Sequence, residues 1–296
     1  MRRIFILICV LISFLSFASS RQERVKLLIG GSGWNKIAII DKETKNIEWE
    51  YPLEKCWECN SVACTDEGNI LFSYKKGARL ISKDFSIIWD ITSPEGCEMQ
   101  TADVLPDGRI LLAWTGHPSV ILETDGKGNV LSRTEFETGI ENPHAQFRQI
   151  SKNESGNYLV PLMGGNSILE ISPEGVVQNE VKPSLGYFSV LKDETDGLYW
   201  VACGDRHVLL KINMQTGEVQ SKVTSDILSD VCLFFVAGLC SSENGGLYVC
   251  NWQGHDKDAV KSASPQLFEM DKSLKVVWSL NDNVNFGMVS DVCIMK

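Results

Sequence analysis

Short apolar runs alternate with polar turns along almost the whole chain, and the turns repeat. Thr65-Asp66-Glu67-Gly68-Asn69 precedes Ile70-Leu71, and Leu105-Pro106-Asp107-Gly108-Arg109 precedes Ile110-Leu111. The pattern returns as Asn153-Glu154-Ser155-Gly156-Asn157-Tyr158-Leu159, as Thr195-Asp196-Gly197-Leu198-Tyr199 and as Glu243-Asn244-Gly245-Gly246-Leu247-Tyr248. Gly68, Gly108, Gly156, Gly197 and Gly246 are 40, 48, 41 and 49 residues apart. A period of that size, with a hairpin turn in every unit, predicts an all-β fold, the β-propeller.

Each unit divides into four strands, a to d from the axis outward, by period-2 alternation and intervening turn residues. In the second unit they fall at residues 61–64, 69–74, 79–82 and 87–91. The same division fits residues 100–137, 145–182, 187–224 and 235–280. Near the N-terminus, residues 25–29, 37–40 and 47–51 supply strands b, c and d without an a. Residues 290–295 supply an a strand with nothing after it. Joined, the two ends complete a sixth blade, and closing the ring removes two open sheet edges. The prediction is a six-bladed propeller with four antiparallel strands per blade. The C-terminal strand pairs with the N-terminal ones.

Residues 1–20 stand outside this pattern. Arg2-Arg3, the apolar run 4–17 and Ala18-Ser19-Ser20 have the layout of a secretory signal peptide, leaving residues 21–296 as one propeller domain. We expect a secreted or periplasmic protein without stable membrane insertion, and a monomer. The formal charge of −10, with no Lys/Arg run against it, argues against nucleic-acid binding. Among the ten cysteines, Cys64, Cys240 and Cys293 fall in strands and are expected to be buried; Cys56, Cys59 and Cys97 sit where a loop disulfide could form.

The outer strands carry a second pattern. Ile39-Ile40-Asp41-Lys42-Glu43-Thr44-Lys45-Asn46-Ile47-Glu48-Trp49 resembles the quinoprotein-type (PQQ-like) repeat, which has Thr-Gly in the c–d turn and Trp four residues after the Gly. Thr216-Gly217 keeps the pair with Ser221 at the Trp position; Trp89 and Trp278 keep the Trp without the pair. The resemblance implies the fold and not the cofactor, because quinone and calcium ligands cannot be placed; we predict neither PQQ nor any other cofactor, and no metal. The segment His144-Ala145-Gln146-Phe147-Arg148-Gln149 is also similar to bacterial arylsulfotransferase propellers, over one unit. Trp49, Trp89 and Trp278 are expected in the core.

The b–c and d–a loops, which share one face, are unlike the plain a–b and c–d turns. They hold all four histidines, His117, His144, His207 and His255, with Trp34, Trp57, Trp114 and Trp252. Asn35, Glu58, Glu98, Asn166, Tyr187, Asp205 and Arg206 join them, and Gln100, Gln146 and Arg148 stand at the starts of inner strands. Flat aromatics beside amides, carboxylates and imidazoles suit a sugar or other polar ligand. The expected function is an exported, non-catalytic module binding a glycan-like ligand at this mouth, with residues 256–265 as a lid or a plain loop. An enzyme is the alternative: His144 as nucleophile or base and Arg148 stabilising negative charge, in sulfotransferase- or lyase-like chemistry. A protein–protein scaffold is the third reading.

Overall fold

The computed structural model describes residues 24–54, 57–255 and 264–295. The expected leader at 1–20, Cys56 and most of the expected lid lie outside the described residues.

Six four-stranded antiparallel sheets form the six blades of a propeller. Blade 1 contains β1 (Lys26–Ser32), β2 (Lys36–Asp41) and β3 (Ile47–Pro52), with β24 (Met288–Ile294) as its inner strand. Blade 2 is β4 (Val62–Cys64), β5 (Ile70–Tyr74), β6 (Gly77–Ile81) and β7 (Ile87–Thr92). Blade 3 is β8 (Glu98–Val104), β9 (Ile110–Thr115), β10 (Ser119–Thr124) and β11 (Val130–Phe136). Blade 4 is β12 (Ser151–Lys152), β13 (Tyr158–Pro161), β14 (Ile168–Ile171) and β15 (Val177–Val181). Blade 5 is β16 (Ser189–Lys192), β17 (Tyr199–Ala202), β18 (Leu209–Ile212) and β19 (Val219–Val223). Blade 6 is β20 (Phe235–Ser241), β21 (Leu247–Trp252), β22 (Leu267–Met270) and β23 (Val276–Leu280).

The ring closes as the end patterns require. β24 pairs antiparallel with β1, setting Leu28 opposite Cys293 and Ile29 opposite Val292. The middle strands bury apolar side chains on both faces because each blade is covered by two neighbours. Phe72, Tyr158, Tyr248 and Phe268 are almost wholly buried there. The outer strands keep the alternation of one covered and one wet face, as in β3.

The outer tryptophans depart from the expectation. Trp89 is buried, but Trp49 and Trp278 are only half-buried and lie at seams between blades. Trp49 Nε1 donates to the Lys83 carbonyl of blade 2 at 3.0 Å. Trp278 Nε1 donates to the Lys42 carbonyl of blade 1 at 2.7 Å. An indole carries a donor that a dry core would leave unpaired, and the neighbouring turn supplies its acceptor. The cysteines also differ in part. Cys64 is buried, whereas Cys240 and Cys293 are half-buried along the channel. Cys59 and Cys97 are both free thiols, so no bridge joins them. No helix among the described residues is long and apolar enough to cross a membrane.

Candidate binding site at the channel mouth

Inner strands run from the mouth, where the d–a loops arrive, toward the a–b turns. Residues just before or at their starts therefore ring the mouth. A cavity of about 200 Å³ there is lined by Glu58, Asn60, His144, Arg148, Met163, Phe188, Phe235, Trp252, His255 and Ser290. An adjoining one of about 300 Å³ shares Phe235, Trp252 and His255 and adds Asp205 and His207.

His144 sits in a single 3₁₀ turn, Pro143–Ala145, capped by Asn142, whose side-chain oxygen accepts from the His144 backbone N–H at 3.1 Å. Its Nδ1 lies 2.7 Å from Glu98 Oε2, and its Nε2 lies 3.2 Å from Arg148 Nη2. A guanidinium has only donors, so Nε2 accepts and Nδ1 carries the proton donated to Glu98. Burial works to raise the Glu98 carboxyl, but Lys75 and His144 together hold it below the ordinary value. Arg148 is 3% exposed. Its Nη1 donates to the carbonyls of His144 at 2.7 Å and Phe147 at 3.0 Å. Among the described residues it forms no ion pair; burial lowers its pKa, against the support of Glu58 and Glu98 nearby. A cationic group held by carbonyls and one imidazole has donor capacity left for a ligand.

The opposite wall is aromatic. Phe235 meets Phe188, Trp252 and His255 edge-on at centroid distances of 5.7, 5.4 and 5.5 Å. Trp252 and His255 stand 4.8 Å apart, nearly perpendicular. Trp252 is fixed by its Nε1 hydrogen bond to Ser32 Oγ at 2.8 Å, and His255 by Asp205 at 2.8 Å.

Of the residues singled out from the sequence, Glu58, His144, Arg148, Trp252 and His255 line the central cavity. Asp205 and His207 line its neighbour, and Glu98 supports His144 from behind. His207 adopts a positive φ of 54°, and its Nδ1 bonds the Phe234 carbonyl. Arg206 is exposed beside them.

The remaining candidates are placed elsewhere. Gln146 is fully buried and clamps Gly116, accepting from its N–H at 2.8 Å and donating to its carbonyl at 3.1 Å. Gln100 is the extra residue of a bulge in β8 and is tied to Asn60 at 2.9 Å. The Tyr187 ring is buried, with its hydroxyl against the Ser184 backbone and the Asn166 carbonyl. Asn166 itself is exposed outside both cavities. Trp34 packs edge-on against Phe286 at 5.6 Å, and Trp114 is buried within blade 3 under Arg133. Trp57 stacks on Tyr74 at 3.8 Å. His117 is held by Glu137 and by the Glu141 carbonyl, which raise its pKa, the carbonyl most. The four histidines thus have separate partners and do not share one centre. Gln146, Gln100, Tyr187 and His117 are engaged by neighbouring protein groups, and Trp34, Trp57 and Trp114 pack against other side chains, so these contacts are made with protein and not with the cavity.

Asn60, Met163, Phe188, Phe235 and Ser290 were not singled out from the sequence. Each stands at the mouth end of its blade, and that position was the available signal.

A larger cavity of about 370 Å³ lies further down the channel, among Asp103, Asp291, Cys240, Cys293 and residues of all six inner strands. It lacks the aromatic wall and the histidines.

The nearby solved structures include a Bacteroides caccae protein of unknown function. It is 57% identical, with a TM-score of 0.89, covering 92% of this chain and 99% of that one. A virginiamycin B lyase from Staphylococcus aureus, an inactive histidine-to-alanine variant with quinupristin, is 15% identical with a TM-score of 0.59. That match covers 90% of this chain and 87% of that one. A chain of a nidogen/laminin complex is 14% identical with a TM-score of 0.62, covering 92% and 98%. Likeness at 14–15% identity is likeness of fold. No curated protein matches by sequence. Residues 32–275 match the Mal s 1 allergenic protein-like family, and the chain belongs to that family.

Proposed function

We propose that this propeller is exported and binds a small polar, glycan-like ligand at the channel mouth. The observation that carries the reading is the 3%-exposed Arg148 guanidinium in a cavity walled by Phe188, Phe235 and Trp252. The aromatic edges and faces suit the apolar side of a sugar ring, and Glu58, Asn60, His144 and Arg148 supply acceptors and donors for its hydroxyls or an acidic group. The two adjoining cavities together reach the size of ordinary small-ligand pockets, about 300 Å³ or more.

The test is retention on an array of neutral, uronic-acid and sulfated glycans. Arg148→Gln is expected to weaken retention about 10- to 100-fold, the worth of a charge-assisted hydrogen bond. Failure of every immobilised glycan to retain the wild-type protein rejects the reading.

A second reading, lyase- or transferase-like catalysis, is favoured by one observation: a carboxylate-held histidine at the cavity whose unprotonated Nε2 is covered by Arg148, and which becomes available as a base when that guanidinium turns to an anionic substrate. Turnover of a uronic-acid or sulfate-ester panel by the wild type and its loss in His144→Ala would support it. Equal rates in the two proteins end it.

A further inference from the structure

Inner strands bring three cysteines to the end of the channel away from the mouth. Cys64 closes β4, Cys240 lies in β20 and Cys293 lies in β24. Cys64 Sγ stands 3.7 Å from Cys293 Sγ, across a sequence separation of 229 residues. That is a contact distance for two sulfurs; a bond of about 2.05 Å requires them to close by roughly 1.7 Å. The two strands belong to different blades, because β24 pairs with β1 of blade 1 and β4 opens blade 2. Cys293 and Cys240 line the 370 Å³ channel cavity, so a small solute has a path to them.

We propose that Cys64 and Cys293 form a disulfide that staples the closing C-terminal strand to the neighbouring blade. The oxidant is a low-molecular-weight disulfide. The Cys293 thiol loses its proton and attacks one sulfur of the oxidant, which leaves as one thiol and creates a mixed disulfide on Cys293. Cys64 then loses its proton and attacks the Cys293 sulfur. The protein disulfide forms and the second thiol leaves, so two protein thiols are oxidised and one disulfide is reduced to two thiols. The Cys64 contact and burial push the Cys293 thiol well up, which makes the first step slow at neutral pH. The ring formed by the cross-link is long, so it removes much of the freedom of the unfolded chain. This inference is independent of the mouth reading.

The experiment equilibrates the purified full-length protein with oxidised and reduced glutathione, caps remaining thiols with N-ethylmaleimide, and maps cross-linked peptides by mass spectrometry. The expected product joins Cys64 to Cys293, weighs two hydrogens less, and melts about 5–10 °C above the dithiothreitol-reduced protein. It is absent from Cys64→Ser and Cys293→Ser and retained in Cys240→Ser. A bridge to Cys240, a mixed disulfide that stops at Cys293, or both cysteines fully capped overturns the proposal from the wild-type protein alone. An unchanged melting temperature after cross-linking overturns the stapling role.

Discussion

At the scale of single residues, polar groups divide by whether surrounding protein completes them or leaves donors facing a cavity. Gln146 and Tyr187 have the residue types of a binding site, yet their atoms are engaged by the loops around them. Arg148 is buried as deeply and retains donors toward the cavity. Further down the channel, Asp291 accepts the Val62 N–H at 2.8 Å and packs on Gly238, where a Cβ would come within 2.4 Å of its Oδ1. Burial pushes its carboxyl up to about 7, against the pull of Val62 and Gln149, with Asp103 adding to the rise. Between the ordinary 3.8 and about 7, the folded state therefore binds more protons than the unfolded one. Stability contributed at this site falls as pH rises through that window and levels off above it. We predict that Asp291→Asn flattens the decline in melting temperature between about pH 4 and pH 8. Parallel curves for variant and wild type would show that Asp291 carries no such penalty.

At the scale of the element, the c–d hairpin is the repeating device. All six contain a bulge, and in each turn one residue takes a positive φ: Lys45, Phe85, Gly128, Gly175, Gly217 and Leu274. This is the geometry of a three-residue hairpin with a left-handed residue closing a bulge. Four residues later stand Trp49, Trp89 and Trp278 in three blades and smaller polar residues in the others. The left-handed residue of the next blade covers each tryptophan. Lys45 Nζ lies over Trp278 at 5.8 Å, Phe85 stacks on Trp49 at 5.5 Å, and at Gly128 a Cβ would meet Trp89 at 3.1 Å. The repeat read from the sequence as Thr-Gly with Trp is therefore a contact between blades, which explains how Lys45 and Phe85 persist in a strained conformation. Trp278→Phe removes a good hydrogen bond and is predicted to cost about 1 kcal/mol more than Trp89→Phe in chemical unfolding. Trp89 Nε1 has no partner among the described residues, so its indole nitrogen is the dispensable one. Equal losses would contradict this account of the seam.

At the scale of the whole molecule, the termini are one structural unit. β24 supplies the inner strand of blade 1, and its removal leaves the edge of β1 open to the channel. Deleting residues 288–296 is predicted to give aggregated protein or a broad, non-cooperative melt, measured by size exclusion and calorimetry. A soluble truncated protein with a sharp, unshifted melt would mean that the ring does not depend on its latch.

The six blades, their order and the shared terminal blade were legible because each rests on local rules: alternation, glycine turns and the need to pair every edge. The loop face carrying the histidines and several tryptophans was legible for the same reason, since strand order assigns loops to faces. Which side chains meet was not. His144, Trp252 and Asn60 come from three blades and approach only when the ring closes, and no period in the sequence records the direction of a loop side chain. The tertiary structure alone separated His144, Arg148 and Trp252 at the cavity from Gln146, Trp114 and Tyr187 packed behind it. The physical reason is that strand pairing is fixed by neighbours in sequence, whereas the facing of a loop side chain is fixed by whichever distant backbone or ring completes its contacts.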